Sequence, residues 1–169
     1  MKTLRFILSA MVSLVIIACG GGSNTKQDPD PSEVAEKYTA AMMNYDFDEV
    51  KKYLVKEALP LYEELVSSFL SDKQTVNIDN TIKPIMKQAK YKTVKKEISD
   101  DKQTAEVTVE ITDRTSTFND KNFSMVLEDG AWKVHHPIEI PSVTMDYSIK
   151  RGLYIDEKGK YKQVETSTE

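Results

Sequence analysis

The chain has 169 residues, 40% of them hydrophobic and 30% charged, with 23 Lys and Arg set against 27 Asp and Glu. That is enough chain for one domain with a tail, and enough apolar residue for a packed core. A formal net charge of -4, with the two signs interspersed, excludes the basic footprint that nucleic-acid binding requires.

The first segment, "MKTLRFILSAMVSLVIIAC", places Lys2 and Arg5 ahead of an apolar run from Phe6 to Ile17 that only Ser9 and Ser13 interrupt. This is the layout of a secretory signal. The run is too short to cross the roughly 30 Å hydrocarbon core as a helix. Ile16-Ile17-Ala18-Cys19 resembles the bacterial lipobox, an aliphatic residue three before a cysteine and a small one just before it. The resemblance implies lipid transfer to the Cys19 sulfur, cleavage before Cys19, and acylation of the new amino terminus. Residues 1–18 are then a lipoprotein signal peptide, and the membrane is a partner through the lipid on Cys19. One acyl chain holds a bilayer only marginally, whereas two or more anchor stably. Gly20 stands where an aspartate would imply inner-membrane retention, so the resemblance implies the outer membrane. No contiguous run of acids follows closely. A periplasm-facing position is the first expectation, with the cell surface as the alternative.

Cys19 is the only cysteine, and both histidines lie near the other end of the chain, so neither a disulfide nor a metal site is expected. "GGGSNTKQDPDPS" has no hydrophobic period and is expected to be a flexible tether over residues 19–31. Ser32 is the expected cap of a first helix, with Val34, Tyr38, Ala41, Met42 and Tyr45 as its apolar stripe and Glu36 favouring its positive end. Asp46 or Asp48 caps a short second helix that turns Phe47, Val50, Tyr53 and Leu54 inward. A third helix over about 56–70 buries Ala58, Leu61, Tyr62, Leu65, Val66, Phe69 and Leu70, with Pro60 in its tolerant first turn. Residues 80–89 predict a fourth helix, against which Pro84 counts.

From Tyr91 the period becomes two. "TAEVTVEIT" puts Ala105, Val107, Val109 and Ile111 on one face of a half-buried strand, and "YKTVKKEIS" is its hairpin partner. "KNFSMVLEDGAWKVHH" is a second hairpin about Asp129-Gly130. Helices followed by an antiparallel meander predict an α+β fold, N-terminal helices packed on a curved antiparallel sheet. The residues after Pro137 are expected to be a C-terminal extension, with a hairpin about Arg151-Gly152 and the polar tail "ETSTE".

"VAEKYTAAMMNYDFDEVKKYL" and the later "FSMVLEDGAWKV" resemble the nuclear transport factor 2-like, or cystatin-like, superfamily. More narrowly, they are similar to small Bacteroidota-type lipoproteins carrying a domain of that kind. The match rests on the break at Tyr45-Asp46 and on Asp129, Gly130, Trp132, Lys133 and Val134, and covers about 32–137. It implies a cone, a curved sheet wrapped around the long helix with a pocket at the open end.

Enzymes of that superfamily need an inward general base, positioned and tuned by its surroundings. On "TAEVTVEIT" the inward set is wholly apolar. On "FSMVLE" it is either Phe123, Met125 and Leu127 or Ser124, Val126 and Glu128. Alternation along "AWKVHH" groups His136 with Trp132 and Val134, so His136 is the one catalytic candidate. Adjacent His135 points to the opposite face unless the strand ends there, and Pro137 does end it. Glu63-Glu64, Asp100-Asp101 and Asp28/Asp30 are expected to be solvated. Tyr38, Tyr45, Tyr53 and Tyr62 are expected in the core, with a ligand pocket as the other reading. No phosphate loop or dinucleotide pattern occurs, so no cofactor is expected. The composite expectation is a lipid-anchored envelope protein, non-enzymatic, binding a small apolar ligand or another envelope protein. The alternative is a small isomerase or cyclase using His136.

Overall fold

A computed structural model describes residues 30–71, 78, 83–112, 120–141 and 149–167. The signal segment, Cys19 and the tether as far as residue 29 lie outside the described residues. No described helix is long and apolar enough to cross a membrane.

Helix α1 (Pro31–Met43) is capped by Asp30, not by Ser32. The Asp30 carboxylate accepts the Ser32 amide at 2.9 Å, and Pro31 occupies the first helical position, where a missing N–H costs nothing. The folded part therefore starts inside the stretch expected to be tether. The buried stripe of α1 is Ala35, Tyr38, Thr39, Ala41 and Met42, while Val34 is only half-buried. Helix α2 (Phe47–Lys51) is capped by Asp46, whose carboxylate accepts the Glu49 amide. A single 3-10 turn (Lys56–Ala58) leads into α3 (Leu59–Ser71), which buries Tyr62, Leu65 and Phe69 but leaves Leu70 exposed. Of the expected fourth helix, the described residues include one turn, α4 (Lys83–Met86), with Pro84 at its second position; residues 80–82 lie outside them.

Strands β1 (Lys90–Ile98), β2 (Thr104–Thr112), β3 (Lys121–Glu128) and β4 (Ala131–His136) form an antiparallel four-stranded meander in chain order. Its inward face carries Ala105, Val107, Val109, Ile111, Phe123, Met125, Trp132 and Val134, each no more than 5% exposed. Phe123 and Met125 thus decide the face of β3. Tyr38 of α1 meets Phe123 edge-on at 5.1 Å. The β3–β4 turn uses Asp129 and Gly130, both at positive φ, as the Asp-Gly pair predicts.

After the cis His136–Pro137 bond the chain enters a second, three-stranded antiparallel sheet of β5 (Ile138–Ile140), β6 (Ile149–Ile155) and β7 (Tyr161–Ser167). The chain reverses between Ile155 and Tyr161, where Asp156 Oδ1 accepts the Lys158 and Lys160 amides and Gly159 takes positive φ. It does not reverse at Arg151-Gly152, which pair with Glu165 and Val164 in the middle of the ladder. Residues 165–167, expected to be tail, belong to β7. Ile138, Ile140, Leu153 and Tyr161 join the same core as the helices and the first sheet. The architecture is α+β, with helices packed on antiparallel strands that divide into a larger and a smaller sheet.

The free edge of β4 is covered. Val134 donates its amide to the Tyr53 carbonyl at 2.7 Å and accepts the Val55 amide, so the link between α2 and the 3-10 turn pairs with β4 in parallel.

Candidate functional site

An open cleft of about 1380 Å3 lies at the C-terminal end of α1, between α2, α3 and α4. Chain geometry assembles it. Asn44 and Tyr45 close α1, and Tyr45 holds φ of 54°, which turns the chain sharply into α2. The floor is aromatic: Tyr45 stacks on Phe69 at 6.0 Å, and Phe47 meets Phe69 edge-on at 5.7 Å. Tyr62 is buried beneath, and burial pushes its phenol pKa well up. Tyr53 stands at the rim and donates to Glu49 at 2.7 Å; partial burial and that carboxylate push its pKa up to about 12. Tyr45 and Tyr62 are core residues, as expected, and their edges also line the cleft.

The rims differ in charge. Asp46, Asp48, Glu49 and Glu63 line the α2 and α3 side, where Lys51 bonds Asp48 at 2.8 Å. Lys37, Lys83 and Lys87 line the α1 and α4 side. Exposed Leu70 lines the opening. Asn44 donates Nδ2 to the Ala40 carbonyl, which fixes the amide orientation and leaves its buried Oδ1 without a partner. The cleft can present aromatic faces and both signs of charge to a ligand.

His136 is not where alternation places it. The β3–β4 register slips between Ser124 and Met125: Met125 still faces Val134, but Ser124 faces His136. One extra residue in β4 carries His136 to the face opposite Trp132 and Val134. The same bulge sets the two imidazoles side by side, with centroids 5.4 Å apart, instead of on opposite faces. Both are half-buried. His135 packs edge-on against Tyr161, whose hydroxyl donates to the His135 carbonyl at 2.7 Å. Burial, then neighbouring His136, holds the His135 pKa below its ordinary value, and Glu57 opposes them. No group of three or more His, Cys, Asp or Glu among the described residues is placed to hold a metal.

A polar cluster that alternation did not reveal centres on Glu139 of β5. Its carboxylate, with the side chain 17% exposed, accepts Lys121 Nζ at 2.9 Å and Tyr154 Oη at 2.8 Å. The fully buried Tyr38 hydroxyl faces the Glu139 backbone without a well-aligned hydrogen bond. Both Glu139 oxygens are engaged, so the group acts as a clasp between β3 and the second sheet. Its signal in the sequence is an acidic residue between two apolar ones, "IEI", which any exposed strand position would share.

A smaller pocket of about 730 Å3 sits at the other end of α1. Ile98, Leu127 and Trp132 form its apolar side, and Asp30, Pro31 and the turn from Ser99 to Gln103 its rim. The first sheet extends past the start of α1 here, which leaves Ile98 43% exposed. Glu63, Glu64, Asp100 and Asp101 are exposed, as expected of solvated charges. Asp30 is not merely solvated, because Lys96 holds both its oxygens at 3.1 Å. The lipidation candidate Cys19 and Asp28 lie outside the described residues. No protein-family model, no curated protein and no solved structure matches the chain, so no family is shown.

Proposed function

We propose that the chain is a lipid-anchored envelope protein whose folded part is a non-enzymatic binding module, with the cleft between α1, α2, α3 and α4 as its binding site. The observation that carries this reading is a contrast between two surfaces. The inward face of the larger sheet holds only apolar side chains packed to near-zero exposure, while the cleft is open, aromatic-floored and charged on both rims. A packed sheet interior supports a site outside it, and half-open aromatic clefts with a few polar groups are where ligands bind. The sequence supports the anchor through Ile16-Ile17-Ala18-Cys19 and the outer membrane through Gly20. The α+β order of helices and meander is compatible with a cystatin-like cone.

Two measurements test this. Radioactive palmitate should label the wild-type chain and not Cys19→Ser, which should also leave the membrane fraction; labelling of the variant defeats the anchor. Material purified from native outer membranes should carry a small molecule or partner protein that is lost in Leu70→Asp and in Lys87→Glu. Unchanged co-purification in both variants would remove the cleft as the site. The isomerase or cyclase reading with His136 returns only if His136→Ala alters turnover or phenotype while folding is preserved.

A further inference from the structure

A binding role for the cleft makes no use of His135 and His136, the chain's only histidines. The β4 bulge brings them together. Val134 faces Met125 and His136 faces Ser124, so His135 is the extra residue and its ring lies beside that of His136. Among the described residues no hydrogen bond or ion pair engages any of the four ring nitrogens. None of the four is among the buried atoms left without a partner, so all four reach solvent. The backbone and one ring are nevertheless fixed: Tyr161 donates its hydroxyl to the His135 carbonyl at 2.7 Å and packs edge-on against the His135 ring at 5.9 Å. The spacing is that of two imidazoles sharing one ion. At a metal–nitrogen distance of about 2.0–2.1 Å the ion lies roughly 3.2 Å from each ring centre, so rings 5.4 Å apart subtend about 115° at it, close to tetrahedral. Their 44° tilt is compatible with this, because each ring plane need only contain the ion.

We propose that His135 and His136 together bind one divalent transition-metal ion of the nickel, copper and zinc group, with water in its remaining positions. Imidazole nitrogen suits these ions, whereas magnesium and calcium take oxygen ligands. The surroundings favour a cation. Glu57 acts on both His135 and Tyr161, and Glu128 acts on Tyr161, while Lys160 stands 3.9 Å from Glu57 and offsets part of this. No third His, Cys, Asp or Glu among the described residues completes a cage. Structural zinc sites are closed by four protein ligands; this one is open, so its ion exchanges with solution. Unbroken alternation would part the two rings and exclude a shared ion, and the bulge removes that ground.

Because the chain has only these two histidines, their own resonances test the site. The untagged full chain would be titrated with nickel chloride at about pH 7.5, where imidazole is mostly neutral. The proton signals of both rings should shift or broaden together, and calorimetry should show one ion per chain. His135→Gln and His136→Gln should each weaken binding by about tenfold or more, as loss of one ligand does, and the double variant should abolish it. Perturbation of one ring alone, or no binding, overturns the shared site. Binding that survives in the double variant also overturns it, placing the ion on other groups such as the Cys19 thiol. The wild-type resonances decide the matter even where a variant fails to fold. None of these outcomes depends on the lipid anchor or on the cleft.

Discussion

Gly152 shows how one side chain's absence sets the second sheet. A Cβ there would lie 2.6 Å from the Ile138 carbonyl oxygen and 3.3 Å from Glu139 Cα. The close approach brings β5 onto β6 and lets the Glu139 side chain lie across the glycine toward Tyr154. Gly152→Ala should lower stability by about 1–3 kcal/mol, as overpacking does, seen as a lower urea midpoint; an unchanged midpoint would show that the strands separate at no cost. His135 gives a pH prediction. Its folded pKa is depressed, so between its ordinary value near 6.5 and the folded value the unfolded chain binds the proton more readily. Stability from this group is full above pH 6.5 and falls as the solution is acidified below it. His135→Gln should flatten that part of the melting temperature–pH curve, and a slope unchanged in the variant would assign it elsewhere. At this scale the sequence was read least well. The His136 error came from assuming unbroken alternation, when a bulge is a backbone event that residue types alone do not mark. The Asp30 cap was missed although Pro31, favoured at the first helical position, points to it; both Asp30 and Ser32 are good caps, and the Lys96 contact from a distant strand also holds Asp30 in place.

Among the elements, β1 is an edge strand, and edges invite pairing with other chains. Three devices blunt it. Lys90, Lys92, Lys95 and Lys96 charge it, a register shift between Thr93 and Lys95 kinks it, and Glu36 of α1 takes the Thr93 amide. Glu36 thus serves a strand that follows α2, α3 and α4 in the chain, in addition to any role at its own helix end. Glu36→Ala should cost about 1 kcal/mol by leaving that amide unpaired, and should raise self-association in sedimentation velocity at high concentration. A variant that stays monomeric would mean that charge and bulge suffice. Elements with strong local signals were legible: the alternation of β2, the Asp-Gly turn, the α2 cap as one of Asp46 and Asp48, and the α3 stripe apart from exposed Leu70. The fourth helix ends at Met86, before the expected Ala89, and its start over residues 80–82 lies outside the described residues.

For the whole molecule, the residues after Pro137 matter more than an extension would. Ile138, Leu153 and Tyr161 are buried in the common core, and α3 packs on this sheet, with Gln163 donating to the Leu61 carbonyl at 3.2 Å. A chain ending at Pro137 should lose its cooperative thermal transition; a cooperative melt would make these strands an appendage after all. Their role was hidden in the sequence because "VTMDYSIKRGLYI" mixes polar and apolar residues without a clean period, and its partners are set by the long-range pairing of β5 with β6. The cleft was likewise only half legible, since helical stripes name the buried tyrosines but not the rims that four separate helices bring together. The parallel bridge between Val134 and the Tyr53–Val55 link has a further consequence, for the order of assembly. Residues some 80 positions apart in the chain must meet before it closes, so the helical half emerges first and waits for the last strand of the meander. The β4 edge stays open until that meeting. The Val134 amide should therefore be among the slowest to exchange with deuterium once the fold is complete, reporting global rather than local opening.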